Sequence, residues 1–243
     1  GHVEHREGRC LDIGNTTRAV LTSKDFVTKP KECALNVWKS NGKSVASNGA
    51  VMRTAPVGCF CFWDEEVVIK TAAEYAATTH ADPRCIFSSV CVSMLVSRII
   101  RFLSGIENSF DVDITIADAM KVVDGIEPFK DEILRYSNAT TVQELKLFDV
   151  NRSIGYTLKA YGAGIWALKH SASFEDALVQ IIREGGDADT NGAVAGALMG
   201  AIHGFSNIPD YLLRYMYNGQ WLYNDMYRFM TIMGIEPPKS PWF

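Results

Sequence analysis

The stretch Gly185-Gly186-Asp187-Ala188-Asp189-Thr190-Asn191-Gly192 packs three hard oxygen donors into four residues, directly ahead of an apolar run from Ala193 to Phe205. Gly185 and Gly186 permit the positive-φ backbone that such a turn needs. The run behind them reads as a helix, so the acidic residues fall in its cap and first turn, where the helix dipole favours negative charge. An ordinary cap needs one such residue, not three. Asp187, Asp189 and Thr190 offer only oxygen, a set that suits Mg²⁺, Mn²⁺ or Ca²⁺ rather than zinc or copper. On these residues alone, a divalent site and a carboxylate-rich cap both stay open. Gly192, Gly196, Gly200 and Gly204 recur at every fourth position and form one stripe along the helix. Each helical glycine costs roughly 1 kcal/mol relative to alanine, so the stripe predicts another backbone packed very close to that face.

Helical spacing of apolar residues continues through most of the chain: 67–79, 87–104, 115–123, 142–146, 155–169, 174–183 and 220–233. Start signals support several of these, such as Ser173 ahead of Phe174-Glu175-Asp176. Pro56, Pro83, Pro128 and Pro209 fall between helices. No segment alternates strictly, and neither Asn41-Gly42 nor Asn48-Gly49 joins β-branched runs. The expectation is a single all-α domain over 1–243.

Charge and cysteine usage narrow the partners. A net charge of -4 leaves no basic footprint for nucleic acid. No signal peptide or membrane span is read, so no membrane partner is expected. The six cysteines (Cys10, Cys33, Cys59, Cys61, Cys85 and Cys91) match no zinc spacing. They are expected to be reduced thiols in a cytoplasmic or nuclear setting. The first residue is Gly rather than Met, which fits a cloning scar, a processed end or a truncation.

Three loops stand out against the helices. Ser47-Asn48-Gly49-Ala50-Val51-Met52-Arg53 joins a polar stretch to an apolar one; Thr79-His80-Ala81-Asp82-Pro83 ends one helix and opens the next; residues 10–17 carry Asp12, Gly14, Asn15 and two threonines. Taken with GGDADTNGAVAGALMGA, the segments SNGAVMR and TH-x-DP resemble the ADP-ribosylglycohydrolase family, also called the dinitrogenase-reductase-activating glycohydrolase family, over roughly residues 10 to 205. The resemblance implies an orthogonal helical bundle with Mg²⁺ or Mn²⁺, one or two ions, at the floor of an ADP-ribose cleft. It implies release of ADP-ribose from a modified protein side chain or a related conjugate.

Carried onto this chain, the resemblance makes Asp187, Asp189 and Thr190 metal ligands and sets Ser47, Asn48 and Gly49 against the diphosphate and ribose. His80 falls near the phosphates, and Gly155 and Tyr156 in the adenine-side wall. The family's first metal segment, Thr-Asp-Asp-Thr, is replaced here by Leu11-Asp12-Ile13-Gly14-Asn15-Thr16-Thr17. In either register Asp12 is the single carboxylate where the family has two, and it is the expected metal and catalytic residue of this segment. Only nine residues precede Cys10, with Glu4 the one candidate remnant of the family's preceding helix. Two functions follow: a metal-dependent ADP-ribosyl hydrolase, or an ADP-ribose-binding or structural protein that kept the fold and lost the chemistry.

Overall fold

The computed structural model describes residues 12–149 and 153–240; Glu4, Cys10 and Leu11 lie outside them. Helices dominate, and among the described residues no strand forms, as the periodicity predicts. An outer pair, α1 (Asn15–Leu21) and α2 (Pro30–Ser40), closes over Val20, Cys33 and Ala34. A short α3 (Val51–Thr54) leads through a 3₁₀ turn into α4 (Glu65–Ala77) and the long α5 (Pro83–Leu103). Then follow α6 (Val112–Val122), α7 (Lys130–Ser137), α8 (Thr157–His170), α9 (Phe174–Arg183), α10 (Ala188–His203), α11 (Asp210–Arg214) and α12 (Gly219–Ile232).

Side-chain caps set where several helices begin. Asp64 accepts from the Val67 amide at α4, Asp111 from Ile114 at α6, and Ser173 from Asp176 at α9, each satisfying a donor that the first turn leaves unpaired. Asp82 caps α5, with Pro83 at its first position, where a missing N–H costs nothing. By length and composition α5 could cross a membrane, but it is mostly buried inside the protein as the central helix. Its small hydroxyls stitch it to its neighbours: Ser93 donates to Thr54 O at 3.0 Å and Ser97 to Phe62 O at 2.8 Å.

In α8, every residue from Thr157 to Ala167 is buried. Large side chains there, such as Leu158, Tyr161 and Ile165, are fully enclosed, and burying one of this size contributes about 1.5–3 kcal/mol. α8 and α10 run side by side in the same direction. Gly155 lies beside Asp187 at one end, and Gly164 fits between Val194 and Leu198 further along. A Cβ on Gly164 would stand 2.8 Å from Leu198 Cδ1 and 2.9 Å from Val194 Cγ1, so this is where a glycine brings two helices together.

The glycine stripe of α10 corrects its sequence reading. It faces α9, but it meets side chains rather than backbone. A Cβ would lie 3.7 Å from Ile182 Cγ1 at Gly192, 3.6 Å from Leu178 Cδ2 at Gly196 and 3.8 Å from Phe174 Cε2 at Gly200, all ordinary contact distances. Phe174, Leu178 and Ile182 recur at every fourth position of α9 and hold the two backbones apart. Gly204 lies off the stripe, ending α10 with φ of 79° and open space around it. Boundaries also move. α10 runs from Ala188 to His203 rather than from 193 to 205, with Asp187 at its cap and Asp189 and Thr190 in its first turn as expected, and 142–145 is a 3₁₀ turn.

Candidate functional site

Gly185 and Gly186 both adopt φ of 70°, the left-handed conformation expected of this turn. At Gly186 a Cβ would lie 2.2 Å from Leu147 O, so only glycine fits there. The turn delivers Asp187 as the N-cap residue of α10, yet its side chain makes no cap hydrogen bond. The carboxylate instead accepts from Asn48 Nδ2 at 2.5 Å, across 139 positions of sequence. Burial raises the Asp187 pKa above the usual carboxylate value; the Asn48 hydrogen bond opposes this, and the neighbouring Asp189 carboxylate adds to it. The Asp189 side chain accepts from the Thr190 amide at 2.8 Å. Thr190 is buried, its hydroxyl directed at Met52 Sδ at 3.7 Å. Asn191, fully buried in the same turn, has no described partner for either amide atom.

The loop before α3 meets this turn through the entry to α8. Asn48 N donates to Gly155 O at 2.9 Å, and Thr157 N donates to Ala46 O at 2.9 Å. Ser47 and Tyr156 thereby form an isolated antiparallel bridge. A Cβ on Gly155 would lie 3.5 Å from both Asn48 Oδ1 and Asp187 Oδ2. SNGAVMR, Gly155-Tyr156 and GGDADTNG therefore converge at one place.

Directional hydrogen bonds run from α3 to α1. Arg53 donates to Gly49 O and, at 2.7 Å, to Thr79 Oγ1. Thr79 Oγ1 lies 2.7 Å from His80 Nδ1, His80 Nε2 lies 3.0 Å from Ser47 Oγ, and Ser47 donates to Thr16 Oγ1 at 2.9 Å. Because Ser47 gives its proton to Thr16, the hydrogen on His80 belongs on Nε2, leaving Nδ1 to accept from Thr79. Burial, reinforced by the Arg53 charge and opposed by Asp82, lowers the His80 pKa to about 4, so the ring is neutral at pH 7. Gly49 leaves room for it: a Cβ there would approach His80 Cε1 to 3.1 Å.

Asp82 takes a supporting part. Fully buried, it accepts from Trp38 Nε1 at 3.0 Å and from the Arg84 guanidinium at 2.8 Å. Arg84 also covers the Phe129 ring, 4.4 Å from its centroid, and donates to Tyr156 Oη at 3.3 Å. The Tyr156 hydroxyl donates to Glu132 at 2.9 Å, and burial pushes its pKa up. A cavity of about 580 Å³ opens over Ala46, Ser47, Arg84, Glu132, Ser153 and Tyr156. A second of about 290 Å³ lies between α1 and α2, against Thr16, Trp38 and His80.

Asp12 is exposed ahead of α1, where its carboxylate accepts from the Ile13 amide at 2.7 Å. Among the described residues no three His, Cys, Asp or Glu side chains gather at one place. Asp187, Asp189 and Thr190 by themselves fit one hard cation. They offer two adjacent carboxylates and a hydroxyl, and a divalent charge would cancel the repulsion that Asp187 and Asp189 exert on each other. Sequence reasoning missed Arg53, Arg84, Trp38 and Glu132. For Arg53 the signal was present: it stands four positions after Gly49, one helical turn, inside SNGAVMR.

The model of the ADP-ribosylglycohydrolase family matches residues 2–235. An ADP-ribosylarginine hydrolase Tri1 of Serratia proteamaculans (strain 568) is 28% identical over 203 residues, covering 83% of this chain and 50% of its own length. The Tri1 of Pseudomonas putida (strain GB-1) is 30% identical over 211 residues, covering 83% and 49%. The chain thus spans about half the length of these curated relatives. A solved ADP-ribosylglycohydrolase-related protein complex superposes with a TM-score of 0.51 at 23% identity, covering 89% of this chain and 66% of the other, a likeness of fold.

Proposed function

Since the chain belongs to the ADP-ribosylglycohydrolase family, we propose that it hydrolyses the bond between ADP-ribose and a modified protein side chain, with arginine the leading acceptor. The observation that carries this reading is the Asn48–Asp187 hydrogen bond, which joins two distant motifs into one polar site. Names of the relatives, ADP-ribosylarginine hydrolase, support the arginine linkage. Water adds to the anomeric carbon, the bond from that carbon to the side-chain nitrogen breaks, and the nitrogen takes a proton, through an oxocarbenium-like state. Asp187, Asp189 and Thr190 would hold Mg²⁺ or Mn²⁺ through oxygen. Such an ion, when bound, orients the ribose hydroxyls and lowers the pKa of a water.

The chain's own residues account for the rest. Asn48 fixes the rotamer of Asp187, so its carboxylate does not turn back to cap α10. Neutral His80 keeps the Ser47 hydroxyl in one orientation, and Ser47, Gly49 and Gly155 offer small, close surfaces to a ribose and diphosphate. Without a basic patch, phosphate oxygens are met by backbone N–H groups and hydroxyls. Five free thiols at Cys33, Cys59, Cys61, Cys85 and Cys91 are compatible with a cytoplasmic or nuclear setting.

The second reading, ADP-ribose binding without turnover, draws on the first metal segment, where Asp12 is the single carboxylate in place of two. One experiment tests both. The protein is incubated with Mg²⁺ and an ADP-ribosylarginine peptide, and released ADP-ribose is measured for the parent, Asp189→Asn and Asp12→Ala. A hydrolase loses release on Asp189→Asn. Binding of free ADP-ribose by Asp12→Ala should stay within about ten-fold of the parent, roughly 1.4 kcal/mol. A parent that binds ADP-ribose and releases none from any conjugate establishes the second reading.

A further inference from the structure

Phe148 is 66% exposed, yet its backbone is held by its neighbours on both sides. Its amide and the Leu147 carbonyl lie against the positive-φ turn, and a Cβ on Gly186 would meet Leu147 O at 2.2 Å and Phe148 N at 3.3 Å. The Phe148 ring rests on Gly185, with Cδ2 at 3.3 Å from where a Cβ would stand. Leu147, by contrast, is 1% exposed and anchors the segment in the core. Lys146 takes φ of 50°, and the Asp149 amide closes the turn onto Lys146 O at 3.1 Å.

A buried lysine reinforces this arrangement. Lys159 on α8 is 1% exposed, and its ammonium donates to Leu147 O at 3.5 Å and Asp149 O at 3.3 Å, the carbonyls on either side of Phe148. Burying an ammonium is costly unless its hydrogen bonds are satisfied, and here they fix the loop. An exposed aromatic on a free loop needs no explanation. One clamped from both sides, its ring on Gly185 two positions before Asp187, presents a flat apolar face in a set direction. Gly155 lies beside the same Asp187 carboxylate.

We propose that Phe148 is a specificity-determining residue of this site, its ring packing against the guanidinium of the arginine that carries ADP-ribose. This rests on the hydrolase reading above. A planar cation lies well over a phenyl face, whereas an O-linked serine brings no charge and less surface to that position. The ring acts on the acceptor side chain, so free ADP-ribose gains nothing from it.

The test compares parent, Phe148→Ala and Phe148→Tyr on an arginine-linked peptide, a serine-linked peptide and free ADP-ribose, with Mg²⁺ present. Phe148→Ala should raise KM for the arginine-linked peptide about ten-fold, the loss of one cation–π contact at a partly desolvated site. Its kcat should stay within about two-fold, as for an interaction made equally in ground and transition states. Phe148→Tyr should behave as the parent, and affinity for free ADP-ribose should not change in either variant. Because the side chain is exposed, melting temperatures should coincide, which separates this role from a structural one. An unchanged KM or an equal loss on both linkages overturns the proposal alone, and a parent active only on the serine linkage overturns it together with the arginine acceptor, leaving the hydrolase reading. A parent that neither binds nor releases ADP-ribose overturns the hydrolase reading and this inference with it.

Discussion

At the scale of single residues, His80 carries the clearest physical signature. Its folded pKa is lowered to about 4 from 6.5 by burial and by Arg53. A histidine depressed in the folded state is neutral in both states above pH 6.5, where it leaves stability unchanged. As pH falls below 6.5 the unfolded chain takes up the proton first, so stability is lost down to the folded value. Between pH 7 and pH 5 this amounts to about 2 kcal/mol. Urea melts at the two pH values should record that loss in the parent and much less of it in His80→Gln; equal losses would mean that the ring is not held neutral. His80 was legible because Thr-His-x-Asp-Pro is a motif. What the motif hid was the division of labour within it, since Asp82 is spent on Trp38, Arg84 and the cap of α5. Long-range partners of this kind leave no spacing in a sequence.

For the helices, the lesson lies in two glycines on adjacent elements. Gly164→Ala forces a methyl group into Leu198 and Val194 of α10, and overpacking of this kind costs typically about 1–3 kcal/mol. Gly196→Ala instead meets Leu178 at an ordinary distance and replaces the weaker helix former, so it should stabilise by up to roughly 1 kcal/mol. Thermal melts of the two variants should move in opposite directions; a destabilised Gly196→Ala would restore the close backbone contact that the sequence suggested. The repeat of glycines was visible in the sequence, but its meaning was set by α9, whose Phe174, Leu178 and Ile182 fill the groove. Long helices with continuous apolar faces, α4, α5, α8, α9 and α12, were legible by their period. α7 has only eight residues in which to write a period, and α2, PKECALNVWKS, interleaves its apolar residues with polar ones and buries only Cys33 and Ala34, so neither was read.

Taken as a whole molecule, the chain gathers its polar groups where three distant segments meet, so a ligand at that point should stabilise the entire fold. An ion that binds only the folded chain adds about 2.7 kcal/mol at a hundred-fold excess over its Kd. Mg²⁺ or Mn²⁺ added to chelator-treated protein should therefore raise the melting temperature by several degrees. Asp187→Asn, which removes one of the two adjacent charges, should largely lose that rise. An equal rise in the variant would place the ion elsewhere. The pairing of 46–48 with 155–157 has a further consequence. Its two amides, on Asn48 and Thr157, are hydrogen-bonded between segments rather than along a helix. Deuterium uptake at these positions needs only the two segments to part, an opening smaller than global unfolding. Among described residues whose other ladders are helical, those two protons act as a built-in clock for how often the site comes apart.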